Sequence, residues 1–301
     1  MKLISVVMVS YQTGPILFES VAAVLAQKNV AQLIVVDNDN PAVVVKALKE
    51  LAVDDERFLL ISGHGNIGFA RACNLGVEKV TQNFLLLLNP DCLVTSEGVE
   101  ALLDVAESLT GCWLLAPRLL NSDLSEQQGS RRELLTPWMA FVEGTRLYCL
   151  FPRHPYFKRF NHNHQPLPTE VTEVPVTSGA CMLLKTRDYR NLGGMDEGYF
   201  LHVEDVDFCL RFCRSDGKIY FCPHVAFIHD SGSSDKSKLF IEWHKSRGFK
   251  RYFRKHFTGI YPPGFIGLVN LLISLRFLLL AVKELLLHPV RLLAGHKNIA
   301  G

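Results

Sequence analysis

Short apolar runs alternate with stretches whose apolar positions recur every three or four residues, and this rhythm fills the first 117 residues. It predicts strands over Leu3–Ser10, Leu33–Asp37, Phe58–Ser62, Phe84–Asn89 and Cys112–Pro117. Between them it predicts helices over Pro15–Ala26, Pro41–Leu51, Gly68–Val80 and Ser96–Leu109. Strand and helix in strict alternation with short turns give an α/β fold, a mostly parallel sheet with helices on both faces. The run Leu85–Leu88 reads as a strand buried on both faces, and Pro90, with no N–H for the ladder, stops it. Asp91 is thereby delivered to the carboxyl edge, where open α/β sheets bind ligands.

From Arg131 to Pro175 the rhythm dissolves into aromatic and polar residues. A loop that long without its own period is expected to be functional or mobile, and this one is placed to cover a substrate. Regular structure returns as a strand over Val174–Lys185, a helix from Glu204 and a strand over Lys218–His229. Ile241–Phe257 then mixes aromatics with Lys and Arg, as interfacial helices do. Phe265–Val282 is nearly all apolar, interrupted by Asn270 and Arg276. Its length is near that of a bilayer span, but a central arginine costs about 2.5–3.5 kcal/mol on insertion scales, which favours a helix lying in the membrane plane.

Composition sharpens that division. The formal charge of +2 conceals twelve Lys/Arg against two acids from Lys236 to Lys297, leaving the body acidic. A basic, aromatic and apolar tail points to an anionic membrane surface, and with no recognised module beside it nucleic acid is not expected. The eight cysteines form no Cys-x-x-Cys pair, so reduced thiols are expected rather than disulfides or zinc. The apolar start is too short for the core of a secretion signal. The expected organisation is a catalytic region over residues 1–232, divided into 1–117 and 118–232, then a helical region over 233–301.

Four constellations carry candidate chemistry. Ser10-Tyr11 and Asp37 fall at the ends of the first two strands, where a carboxylate can accept the imide N–H of uracil or thymine while Tyr11 covers the ring. The run Asp37-Asn38-Asp39-Asn40 is equally good turn chemistry. Gly65-Asn66-Ile67-Gly68 leads into a helix bearing Arg71 and Asn74, a turn in which glycine admits a phosphate and Arg71 pairs with it. It follows the third strand, not the first, which disfavours a dinucleotide cofactor. Glu204-Asp205-Val206-Asp207 opens a helix. Acids there complement the dipole and Asp207 can pair with Arg211, while Asp205 points elsewhere and is left for general-base work. His229 ends the last strand, either as a loop residue or as a partner of Asp91 across a metal.

Taken in order, Ser10-Tyr11, Val35-Val36-Asp37-Asn38, Gly65-Asn66-Ile67-Gly68-Phe69-Ala70, Leu88-Asn89-Pro90-Asp91, Ser178-Gly179-Ala180-Cys181, Phe200 to Asp207 and His229 resemble glycosyltransferase family 2. These are inverting enzymes of the GT-A fold, and the likeness is greatest to rhamnosyltransferase-like bacterial members. The resemblance implies a nucleotide-diphosphate sugar donor, held by Ser10, Tyr11, Asp37, Asn66, Gly68, Arg71, Asn74, Asn89 and Asp91. It implies Mg²⁺ or Mn²⁺ on Asp91 and His229, Asp205 as base, and Gly179, Glu204 and Asp207 toward the acceptor. Asn89 departs from the aspartate many members carry at the first position of the Asp-x-Asp motif, so one direct carboxylate is expected.

The expected donor is dTDP-rhamnose, with a UDP-hexose as the alternative because Asp37 serves either base. The expected acceptor is a lipid-linked or lipopolysaccharide glycan at the cytoplasmic face of the inner membrane. Among other classes, a sugar-phosphate nucleotidyltransferase needs a basic glycine-rich loop after the first strand, and Gln12-Thr13-Gly14 offers none. A membrane scaffold leaves the acids at the strand ends unexplained.

Overall fold

The computed structural model describes residues 2–230 and 237–295, with side chains through residue 286. Ser231, Gly232 and the expected boundary after residue 232 lie outside them. The first half runs β1 (Ile4–Ser10), α1 (Ile16–Leu25), β2 (Val30–Asp37), α2 (Ala42–Asp54), β3 (Phe58–Ile61), α3 (Phe69–Glu78), β4 (Phe84–Leu88), β5 (Cys92–Leu93), α4 (Gly98–Glu107) and β6 (Trp113–Leu120). It continues with β7 (Arg131–Arg132), α5 (Pro137–Thr145), α6 (Leu147–Leu150), β8 (Thr172–Glu173), β9 (Val176–Thr177), β10 (Cys181–Lys185), α7 (Thr186–Asn191), α8 (Glu204–Arg214), β11 (Lys218–His229), α9 (Lys238–Phe257) and α10 (Pro263–Gly295).

Nine strands form one sheet in the order β3-β2-β1-β4-β10-β6-β11-β5, with β8 beside β11. β1 is parallel to β2 and β4, and β2 is parallel to β3. β10 runs antiparallel to both β4 and β6, and β11 returns parallel to β6. The sheet is therefore mixed at its centre. Because β10 points down between strands that point up, β1, β2, β4, β6 and β11 all end at one edge, and β10 starts there. That edge carries Ser10, Asp37, Asn89, the Ser178-Gly179 turn and His229.

The continuous apolar runs are explained by burial on both faces: all seven residues of β1 and Leu85–Leu88 of β4 are buried. The strand expected over Val174–Lys185 is broken into β9 and β10 by Ser178-Gly179-Ala180, where the chain passes close to Asp205. Register shifts in β11 between Cys222 and Ala226, around Pro223, which cannot donate to the ladder.

Two compact units form: Met1–Leu134 with Phe160–Asp235, and Leu135–Arg159 with Lys236–Gly301. The segment expected to cover a substrate thus divides. Its middle builds α5, whose N-cap Thr136 accepts from the N–H of Met139, and Trp138 and Phe141 of α5 stack near Phe265 of α10. Within the second unit α10 passes α9, and Arg276 is ion-paired with Glu242 at 3.0 Å. From Pro263 to Leu286 its most apolar window has a mean hydropathy of 2.3 and is 6% buried.

Candidate active site

The turn after β4 is fixed by two backbone bonds, from the N–H of Asn89 to the carbonyl of Ala180 and from the N–H of Cys92 to the carbonyl of Asn89. β5 then pairs antiparallel with β11, setting Cys92 opposite His229. The carbonyl of Asp91 accepts from the N–H of Asp230. That register is what brings Asp91 Oδ1 to 3.2 Å from His229 Nε2. Asn89 Nδ2 lies 3.2 Å from the same nitrogen, and Asn89 Oδ1 is buried with no hydrogen-bond partner.

A cavity of about 680 Å³ opens at this edge, lined by His229, Asp205, Arg132, Ser178, His202, Gln127 and their neighbours. Asp205 reaches it from the first turn of α8, which begins after two residues in the left-handed region, His202 (φ 63) and Val203 (φ 73). For a β-branched residue that conformation is a genuine outlier, and such strain concentrates at functional sites. Asp205 Oδ2 accepts from Arg132 Nη2 at 2.5 Å and from the N–H of Gly179 at 3.2 Å, and Oδ1 accepts from the N–H of Val206. Burial works against its charge, but the Arg132 guanidinium and these N–H groups outweigh it and hold the carboxyl below the usual range.

Arg132 is aimed there by β7, which pairs antiparallel with β9. Alternation along β7 sends Arg131 to a buried ion pair with Glu126 and Arg132 to Asp205 and the carbonyl of Thr177. Neither Arg132 nor Gln127 was singled out from the sequence. Both lie where periodicity fails, and the paired basic residues Arg131-Arg132 were the one local signal.

Several expected site residues serve the fold. Asp207, expected toward the acceptor, is fully buried and bonded to Tyr199 Oη and to Arg211 Nε at 2.7 Å. Glu204 is also buried, and burial together with the charge of Asp205 pushes its carboxyl up to about 8, so at neutral pH it is an uncharged acid. Gly179 bonds Asp205 itself.

The glycine turn is likewise structural. Gly68 (φ 86) abuts Phe200, whose carbonyl would lie 2.8 Å from an added Cβ. Arg71 pairs with Glu197 at 3.0 Å on the surface. Asn74 holds Tyr189, Met195 and Glu197. Asn66 is locked to Asn38. This stretch fastens α3 to the segment before α8.

At the other end of the edge, Ser10 and Asp37 are tied together through Asn40, which bonds the hydroxyl of Ser10 and donates twice to Asp37 Oδ1. Tyr11 follows Ser10 and is half-buried.

Among the described residues no three His, Cys, Asp or Glu side chains converge as a metal cluster. The pair Asp91 and His229 nonetheless fits a hard divalent ion that takes its remaining ligands from phosphate oxygens and water. A carboxylate oxygen facing an imidazole nitrogen, beside a buried amide oxygen, is a donor set suited to such a cation.

The sheet order and the polar cavity at its carboxyl edge define an α/β enzyme of the GT-A fold. Residues 5–189 match the profile of Glycosyl transferase family 2, and the chain belongs to that family: it is a glycosyltransferase. It is 25% identical over 264 residues to the N-acetylglucosaminyl-diphospho-decaprenol L-rhamnosyltransferase of Mycobacterium tuberculosis, covering 80% of this chain and 81% of that one. It is 27% identical over 205 residues to the low-salt glycan biosynthesis hexosyltransferase of Haloferax volcanii, covering 67% of this chain but 59% of that protein's length. The mannosyltransferase PcManGT of Pyrobaculum calidifontis, solved with GDP-Man and Mn²⁺, superposes with a TM-score of 0.56 at 14% identity, over 99% of this chain and 80% of that one.

Proposed function

We propose that the protein transfers a hexose, with rhamnose from dTDP-rhamnose the leading candidate, from a nucleotide-diphosphate donor to a lipid-linked glycan, with inversion at the anomeric carbon. The observation that carries this reading is that Asp205 and His229 line one cavity, with Asp91 Oδ1 3.2 Å from the histidine's Nε2. Asp205 takes the proton of the acceptor hydroxyl while that oxygen attacks the anomeric carbon, and the bond to the diphosphate breaks on the opposite face. Arg132 keeps the base ionised. Asp91 and His229 would hold Mg²⁺ or Mn²⁺, which would supply positive charge to the leaving diphosphate.

Support for rhamnose comes from the mycobacterial relative's name, and support for a lipid-linked acceptor comes from the same name together with α9 and α10. A UDP-hexose remains the second donor, because Asp37 at the end of β2 can accept the imide N–H of uracil as well as that of thymine. Donor hydrolysis by the purified protein, measured across a panel of nucleotide sugars with Mn²⁺ or Mg²⁺, should single out one donor. Turnover of none of them overturns the reading. Asp205→Asn should lower kcat by about 10²- to 10⁴-fold while leaving donor affinity near wild type. Retention of most activity removes Asp205 from the role of base.

A further inference from the structure

We infer that Gln127 is the positioning residue of the metal site: its amide clamps His229 at both main chain and ring, and so fixes which imidazole nitrogen faces Asp91. The inference rests on the proposed metal role of Asp91 and His229.

The deduction needs only donor and acceptor rules. Gln127 Nε2 lies 3.0 Å from the carbonyl oxygen of His229 and 3.3 Å from Asn121 Oδ1. A backbone carbonyl only accepts, so the NH₂ end of the amide must face it. The oxygen end, Gln127 Oε1, then lies 2.6 Å from His229 Nδ1. An amide oxygen also only accepts, so Nδ1 carries the hydrogen and, in the neutral ring, Nε2 carries the lone pair.

On the other side of the ring Asn89 Nδ2 sits 3.2 Å from Nε2, an arrangement that fits a lone pair there. The neutral ring therefore presents a ligating lone pair toward Asp91 Oδ1, and a cation shared by the two relieves that confrontation. Partner groups that set tautomer and ring orientation in this way govern the affinity of metal sites.

Gln127 is held firmly enough to act as a template. Gln127 and His229 are both buried residues, 6% and 8% exposed. Its N–H donates to the carbonyl of Leu119 at the end of β6, and its carbonyl accepts from Ser130. The clamp thus ties the last strand of the unit, through His229, to the segment that leads into Arg132. The side-chain bonds of Gln127 go to His229 and Asn121, so its effect on the metal site passes through His229.

The test uses the full chain and two readouts. Nitrogen NMR of the histidine-labelled, metal-free protein at pH 8 should show His229 as the Nδ1–H tautomer, and an Nε2–H signal in the wild type overturns the inference outright. Titration with Mn²⁺ alone, followed by electron paramagnetic resonance, should give Gln127→Leu an affinity 10- to 100-fold below wild type. Gln127→Glu, which retains an oxygen for Nδ1–H, should recover most of that loss and serves as the variant of record if the leucine form does not fold. Equal Mn²⁺ affinity in all three proteins overturns the inference. A wild type that binds no Mn²⁺ yet shows the Nδ1–H tautomer defeats the metal reading while leaving the clamp established.

Discussion

At the scale of residues, the two neighbouring acids of α8 are driven in opposite directions by their surroundings. Asp205 is held ionised chiefly by Arg132 against its burial, whereas Glu204 has no ion pair among the described residues, and burial with the charge of Asp205 raises its carboxyl. Removing the guanidinium with Arg132→Gln leaves Asp205 with burial, the adjoining Glu204 and Asp207, and two N–H groups. Its carboxyl should rise, and the acidic limb of the kcat/KM profile should move to higher pH by about one to three units. An unmoved limb disconnects Arg132 from the base.

For Glu204 the folded value lies above the unfolded one. The stability it contributes is full below the ordinary carboxyl range and is lost as pH rises through about 8. Glu204→Gln should therefore melt above wild type at pH 8.5 and close to it at pH 5, by about 2–4 °C for each kcal/mol recovered. Calorimetry at the two pH values decides it.

Asp91 and His229 were legible in sequence because each ends an apolar strand. Arg132 and Gln127 were not, because their placement depends on pairing with strands that lie far away in the chain. Nor was the contact of Gly68 with Phe200 legible, because a glycine turn looks the same whether a ligand or Phe200 fills the space.

At the scale of elements, runs such as Val6–Val9 and Leu85–Leu88 announced β1 and β4 because burial on both faces demands uninterrupted apolar residues. The reversal of β10 left no such mark, since an interior strand is apolar whichever way it runs. The break before it was hidden as well. Ser178-Gly179-Ala180 reads as a weak strand until Asp205 is seen against it. A Cβ at Gly179 would lie 3.0 Å from Asp205 Cβ, closer than such atoms comfortably sit. Gly179→Ala should therefore shift Asp205 by a few tenths of an ångström, costing kcat up to about 10²-fold, the scale of small misplacements at a reacting centre. The melting temperature should stay close to wild type. A large fall in stability with kcat preserved would show that Gly179 serves packing alone.

At the scale of the whole molecule, the charge asymmetry of the sequence maps onto the second unit, where basic α9 and apolar α10 run together. Leu268, Leu271, Leu275, Leu278, Val282 and Leu285 are exposed at three- and four-residue spacing along one face of α10. Arg276, read from sequence as an obstacle in the apolar stretch, is answered by Glu242 of α9. This pairing lowers the cost of burying the arginine and ties α10 to a helix rich in positive charge. We therefore expect α10 to lie along the bilayer surface, its leucine face among the acyl chains and α9 toward anionic headgroups. A chain ending at Phe257 should lose sedimentation with anionic vesicles and still hydrolyse donor. Continued sedimentation would place the membrane contact elsewhere.

The pairing of β5 with β11 sets Cys92 opposite His229, and beside it Asn89 meets His229 across 140 residues of chain. Closing so long a loop is slow compared with local pairing, whereas β1 to β4 lie close together in sequence. On the proposed metal assignment, a growing polypeptide can thus assemble its early strands on the ribosome before the two residues that would grip an ion meet, which happens only once β11 has emerged.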